Sequence, residues 1–250
     1  MANNLTASQK KVALVLSKAV ATYGFAMGGG AALNAIGLSG RLSDDIDSFS
    51  STCADVSVAA AAAAKAFTAA GWDVETDREG PAFCRLVVTT GRRRRTQVVV
   101  ELGQDSIMWG TQETSVGPTL TMRELAANKV LAAFGRIKPR DLCDLALLAD
   151  HLPIADMLRD AKAKDDGFLV DVLAEMVERT IARPDREWPP EADIEAVRAW
   201  SRSFAQEALS TDLGIPKAGA DPARPASSGW VAPYQRKDGT PIGGYRRGSG

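Results

Sequence analysis

Apolar positions recur along this chain with two different periods, and the switches between them mark out the elements. Over residues 7–23, Val12, Val15, Leu16 and Val20 fall on one face of a helix, with Thr6 and Gln9 spaced as a capping box at its start and Gly24 at its end. The short apolar run 25–27 predicts a strand, 28–30 a glycine turn, and 31–38 a helix whose leading N–H groups face that turn. Alternation returns at 45–49, followed by an alanine-rich helix over 54–70 that Gly71 terminates and a short strand over 72–75. Two strands, 83–90 and 96–102, then flank Gly91 as a hairpin. In the second of these, Val98, Val100 and Leu102 share one face while Gln97, Val99 and Glu101 share the other.

From Thr121 onward the pattern is helical. Thr121 and Glu124 form a second capping box, Leu125, Lys129 and Ala133 ride one helix, and Gly135 closes it. Pro139 belongs in the first turn of the next helix, and further helices are expected over 154–161, 168–181 and 192–208, separated by Pro184 and by Pro189 and Pro190. Beyond Leu213 the periodicity gives way to Gly, Pro, Ala, Ser and Arg, which predicts a flexible basic tail with a small aromatic-anchored turn in 229–247. The organisation is therefore α+β: a mixed sheet flanked by helices over 1–120, a helical domain over 121–213, and the tail over 214–250.

Composition alters this picture only locally. With 45% apolar residues in 250, the chain can bury a substantial core. No apolar run is long enough for a membrane span and the N-terminus lacks a signal-peptide pattern, so a cytoplasmic protein is expected. Cys53, Cys84 and Cys143 are odd in number and scattered, which suits reduced, mostly buried thiols better than disulfides or zinc. His151 is the single histidine, which excludes a histidine-rich metal site. A net charge of −1 makes no global case for nucleic acid; the consecutive arginines Arg92 to Arg95 at the hairpin tip fit an RNA backbone and a solvated turn equally well.

The densest chemistry lies in residues 27–50. Asp45 and Asp47 are two apart on a strand, so both project from one face, where their repulsion calls for a cation, with Mg²⁺ and a triphosphate the expected occupants. Gly29 and Gly30 offer backbone N–H groups unobstructed by side chains, and Ser43 adds a hydroxyl. Glu101, on the like face of the later strand, is the candidate third carboxylate. A second grouping joins Lys129 to Arg136, Arg140, Asp141 and Asp144: lysine and arginine suit phosphate, but an exposed lysine and a helix-dipole preference for the two acids would explain the same residues.

The ordered set Gly29-Gly30-Ala31-Ala32-Leu33, Arg41-x-Ser43-x-Asp45-Ile46-Asp47-x-Phe49, and Lys129 with Arg140-Asp141-x-x-Asp144-Leu145 resembles the AbiEii/MenT nucleotidyltransferase toxins of the DNA polymerase β-like superfamily. The resemblance covers about residues 7–148 and implies a minimal nucleotidyltransferase fold with a helical second domain. It further implies that Asp45 and Asp47 hold Mg²⁺, that Ser43 and Lys129 face an NTP with Gly29, Gly30, Arg41 and Arg140 around it, and that Asp144 completes the site. It implies a cognate antitoxin and, in the MenT branch, the tRNA 3′ end as acceptor. Ala31 stands where the family often has a hydroxyl residue, and Glu101 where the superfamily usually has aspartate. Two other readings keep these residues: transfer to a protein hydroxyl or to a small molecule such as an aminoglycoside, and a catalytically decayed module that binds nucleotide or RNA.

Overall fold

The computed structural model describes residues 5–39, 41–91 and 95–213, together with 230–231, 234–235, 241–242 and 245–246. Arg92, Arg93 and Arg94 and most of the 214–250 tail lie outside the described residues. The chain divides into two compact units, Met1–Leu125 and Ala126–Gly250.

The first unit is built on a mixed sheet. Its strands are β1 (Ala26–Met27), β2 (Asp45–Ser50), β3 (Asp73–Arg78), β4 (Phe83–Thr90), β5 (Thr96–Gln104), β6 (Thr111–Thr114) and β7 (Gly117–Leu120), in the spatial order β3-β4-β5-β2-β1-β7-β6. β2 runs parallel to β5 and antiparallel to β1, and β1 runs parallel to β7. Helices α1 (Ala7–Ala19) and α3 (Val56–Ala69) pack against each other and on the sheet, α1 on β5 and β7, α3 on β3, β4 and β5. Alternation decides which residues meet them: Ile46, Cys84, Leu86, Val88, Val98, Val100 and Leu102 are all buried. Asp45, Asp47, Val99 and Glu101 alternate with that set and are only half-buried. The carboxylates thus stand on the face the core leaves open.

Local chemistry explains the helix ends. Thr6 and Gln9 form the expected capping box, each side chain accepting from the other's backbone N–H. Asp55 caps α3 by accepting the Ser57 N–H at 2.9 Å, and Gly71 follows that helix with φ +79°. Phe67 is fully buried from α3, a burial that contributes about 1.5–3 kcal/mol.

Three features differ from the pattern-based expectation. The second helix, α2, spans Gly29–Ala35 rather than 31–38. Gly28 is its extended N-cap, so Gly29 and Gly30 form its first turn instead of preceding it. The strand predicted over 72–75 continues to Arg78 as β3, a sheet edge whose exposed charges hide the alternation. The β6–β7 hairpin carries Thr, Gln, Glu, Gly and Pro, a composition that gives no strand signal.

The second unit is helical. It takes most of α4 (Met122–Gly135), then α5 (Pro139–Ala149), α6 (Ile154–Lys164), α7 (Val170–Ile181) and α8 (Ile194–Ser210). Leu142, Leu145, Leu148, Phe168 and Phe204 form its fully buried centre, with Phe134 edge-on to Phe168 at 5.2 Å. Pro139 opens α5 at its first position, where a missing N–H costs nothing. Within the tail, Trp230–Val231 pairs antiparallel with Tyr245–Arg246, and Tyr234–Gln235 with Pro241–Ile242. Cys53, Cys84 and Cys143 are free thiols, the first two buried and the third half-buried. No helix among the described residues is long and apolar enough to cross a membrane.

Candidate active site

Parallel pairing of β2 with β5 sets Asp47 directly opposite Glu101, and Asp45 lies one pleat away on the same face. As a result Asp45, Asp47 and Glu101 can each offer a carboxylate oxygen within 4.8 Å of the others. Three hard oxygen donors at that spacing suit a divalent cation such as Mg²⁺, so this donor set fits the metal that the sequence reading calls for. β4 brings a counter-charge that sequence reasoning missed. Arg85 is the cross-strand neighbour of Glu101, with Nη1 3.5 Å from Glu101 Oε1, and its Nε lies 3.4 Å from Asp77. The alternation of β4 placed Arg85 on this face, but only the strand register could pair it with Glu101.

Side chains of the site fill the space beside the glycines. Gly29 has φ +60°, and a Cβ there would overlap Asp47 Oδ2 and lie 2.7 Å from Asp47 Cγ. A Cβ on Gly30 would meet Arg41 Nη2 at 2.8 Å and Ser43 Oγ at 3.0 Å. The missing side chains therefore make room for Asp47, Arg41 and Ser43, which converge on the first turn of α2. Gly28 plays the same part for Phe49, whose ring carbons would lie 2.6 Å from a Cβ at position 28. Ser43 Oγ is at the limit of hydrogen-bonding distance from Asp45 Oδ1, 3.5 Å. Asp44, which precedes β2, is exposed.

Lys129, Arg136, Asp141 and Asp144 meet within the second unit. Lys129 Nζ lies 2.6 Å from Asp144 Oδ2 and 3.2 Å from Asp141 Oδ1. Arg136 grips Asp141 with two parallel bonds, Nε to Oδ2 at 2.7 Å and Nη2 to Oδ1 at 3.0 Å. Lys129 is only 6% exposed and both acids 0%, which removes the reading of an exposed lysine beside two dipole-stabilised acids. Burial alone would push the Lys129 ammonium down, but the Asp144 carboxylate, followed by Asp141, holds it above its ordinary value. Burial would likewise raise Asp141, yet Lys129, Arg136 and Arg140 hold it well below the usual carboxylate range. Arg140 is half-buried in the first turn of α5.

Thr121 Oγ1 accepts the Glu124 N–H at 3.3 Å, as the capping spacing predicts. The buried Glu124 carboxylate also accepts the N–H groups of Met108 and Trp109 at 2.9 and 2.7 Å, and Arg123 lies over the Trp109 ring at 4.9 Å. These contacts fix the segment before β6, a role that spacing alone does not reveal.

The family model for the nucleotidyl transferase AbiEii toxin of type IV toxin–antitoxin systems matches residues 13–221. The chain belongs to the AbiEii nucleotidyltransferase toxin family. No curated protein sequence matches it. Its structure is similar to that of JHP933 from Helicobacter pylori, with a TM-score of 0.55 and 18% identity over 81% of this chain and 91% of that one. It is also similar to MenT4, a nucleotidyltransferase toxin from Mycobacterium tuberculosis, with a TM-score of 0.53 and 14% identity over 81% and 83% of the two chains. At such identities the likeness is one of fold, and it agrees with the mixed sheet and helices expected from the sequence.

Proposed function

We propose that this AbiEii protein is a Mg²⁺-dependent nucleotidyltransferase that moves a nucleotidyl group from an NTP to the 3′ hydroxyl of a tRNA acceptor end, acting as a cytoplasmic toxin held in check by a cognate antitoxin. The observation that carries the reading is the carboxylate trio, three oxygen donors within 4.8 Å on the open face of the sheet. Asp45, Asp47 and Glu101 hold the metal, which when bound neutralises charge on the triphosphate. Arg41 and Ser43, converging over Gly30, take phosphate oxygens, the arginine by a charge-assisted contact and the serine as a donor. The acceptor oxygen attacks the α-phosphorus, its bond to phosphorus forming as the bond to the bridging oxygen of pyrophosphate breaks, and the hydroxyl proton passes to a carboxylate of the trio.

By the resemblance, Lys129 and Arg140 face the nucleotide and Asp144 sets the lysine's position; pairing with Asp144 and Asp141 keeps the ammonium charged against its burial. The tRNA acceptor rests on the resemblance to the MenT branch. Incubation of the purified protein with total tRNA and each labelled NTP tests the proposal. Label should appear at the tRNA 3′ end with Mg²⁺, and should vanish with EDTA or in Asp45→Ala. Transfer that is equal in Asp45→Ala, or absent with every NTP, rejects it.

A further inference from the structure

Arg41 and Ser43 reach Gly30 from a segment without regular structure, so something must fix that segment. Two buried amides do so. Gln9, 6% exposed on α1, donates from Nε2 to the Ser43 carbonyl at 2.7 Å. Its orientation is forced, because Oε1 accepts the Thr6 N–H at 3.0 Å and cannot also face a carbonyl. Asn34, fully buried on α2, donates from Nδ2 to the Arg41 carbonyl at 2.8 Å. Asn34 Oδ1 is buried with no hydrogen-bond partner among the described residues, so the residue carries an unsatisfied polar atom while making one bond to the loop. The Arg41 N–H is held in turn by Ser39 Oγ at 3.2 Å, and Arg41 Nη1 donates to the Leu42 carbonyl at 3.1 Å.

We propose that Gln9 and Asn34 are positioning residues that clamp the Ser43 and Arg41 carbonyls and so hold the hydroxyl and guanidinium over Gly30 ready for nucleotide phosphate. The inference rests on the nucleotidyl-transfer reading above for its functional half, while its structural half stands alone. Neither residue belongs to the motif set legible in the sequence. Gln9 appears there only as a helix cap.

The capping and clamping roles of Gln9 separate cleanly. Gln9→Glu keeps the oxygen that caps α1 but loses the donor to Ser43; Thr6→Ala loses the cap and keeps the donor. Asn34→Leu removes the second clamp together with the orphaned oxygen. Hydrogen exchange across 41–45 in the full-length chain, with KM for NTP and kcat alongside, distinguishes them. Gln9→Glu and Asn34→Leu should speed exchange in 41–45 and raise KM on the order of tenfold or more with kcat less affected, while Thr6→Ala lowers Tm and leaves both unchanged. Exchange in 41–45 that is the same in all three variants and wild type overturns the clamp, as does an unchanged KM in an active enzyme. A wild-type protein that transfers nothing sinks the nucleotidyl-transfer reading instead, and the exchange comparison then still decides whether the amides hold the loop.

Discussion

The carboxylate of Asp47 stands against Gly29, in the volume that a Cβ at position 29 would need. A substitution there is doubly opposed, because φ is +60° and because the nearest atom belongs to a proposed metal ligand. Gly29→Ala should therefore displace Asp47, and activity should fall by about 100-fold or more while far-ultraviolet circular dichroism remains native-like. Steady-state transfer assays on the purified variant check this; near-normal activity would show that Asp47 is not needed where it stands.

Three carboxylates within 4.8 Å repel one another when no cation lies between them. Mg²⁺ should thus raise the Tm of the wild-type protein, and the rise should disappear in Asp45→Asn and Asp47→Asn. In EDTA these variants should be as stable as wild type or more so. Calorimetry with and without Mg²⁺ gives the answer, independently of any acceptor.

Arg85 sits 3.5 Å from Glu101 and is partly exposed, so the pair itself contributes no more than about 1 kcal/mol to stability. Its larger effect is on the charge of the trio. Arg85→Gln should leave Tm almost unchanged and lower the Mg²⁺ concentration needed for half-maximal transfer. An unchanged metal requirement would mean that Arg85 does not compete for Glu101.

The Lys129–Asp141–Asp144–Arg136 cluster is buried and internally paired, so removing one partner strands the others. Asp141→Asn and Lys129→Met should each destabilise the protein by about 3–5 kcal/mol in urea titrations. The pH dependence follows from the signs. Asp141 is depressed in the folded state, so its contribution is complete above the unfolded value, about pH 4, and is lost as pH falls toward the folded value. Lys129 is raised, so its contribution is complete below about pH 10.4 and is lost as pH climbs through the folded value. Asp141→Asn should flatten the acid limb of the stability profile; an unaltered limb would assign acid unfolding to other groups.

Much of the site is legible before any coordinates because a strand has a period of two. That period alone puts Asp45 beside Asp47 and sets Glu101 apart from Val100 and Leu102. It cannot say that β2 and β5 are parallel neighbours, or that their register sets Asp47 against Glu101, since pairing between distant strands leaves no local trace. Helices with clear caps, α1 and α3 among them, are equally legible. The start of α2 is not, because Gly29 and Gly30 read as a turn until their neighbours Asp47, Arg41 and Ser43 are known. The β6–β7 hairpin and the far end of the edge strand β3 escape notice for the opposite reason: β6 and β3 are largely exposed and carry no apolar pattern. For Lys129 the sequence leaves a choice between surface and interior, which turns on what packs around α4 and α5.

The pairing of β2 with β5 has a further consequence, for folding. Asp47 and Glu101 are separated in the chain by α3, β3 and β4, so the two carboxylates meet only through a pairing of distant segments. Such non-local parallel contacts form slowly, because loop closure precedes the gain in pairing. A chain in which β2 and β5 have not yet paired therefore lacks the proposed metal site, whatever else of it has folded.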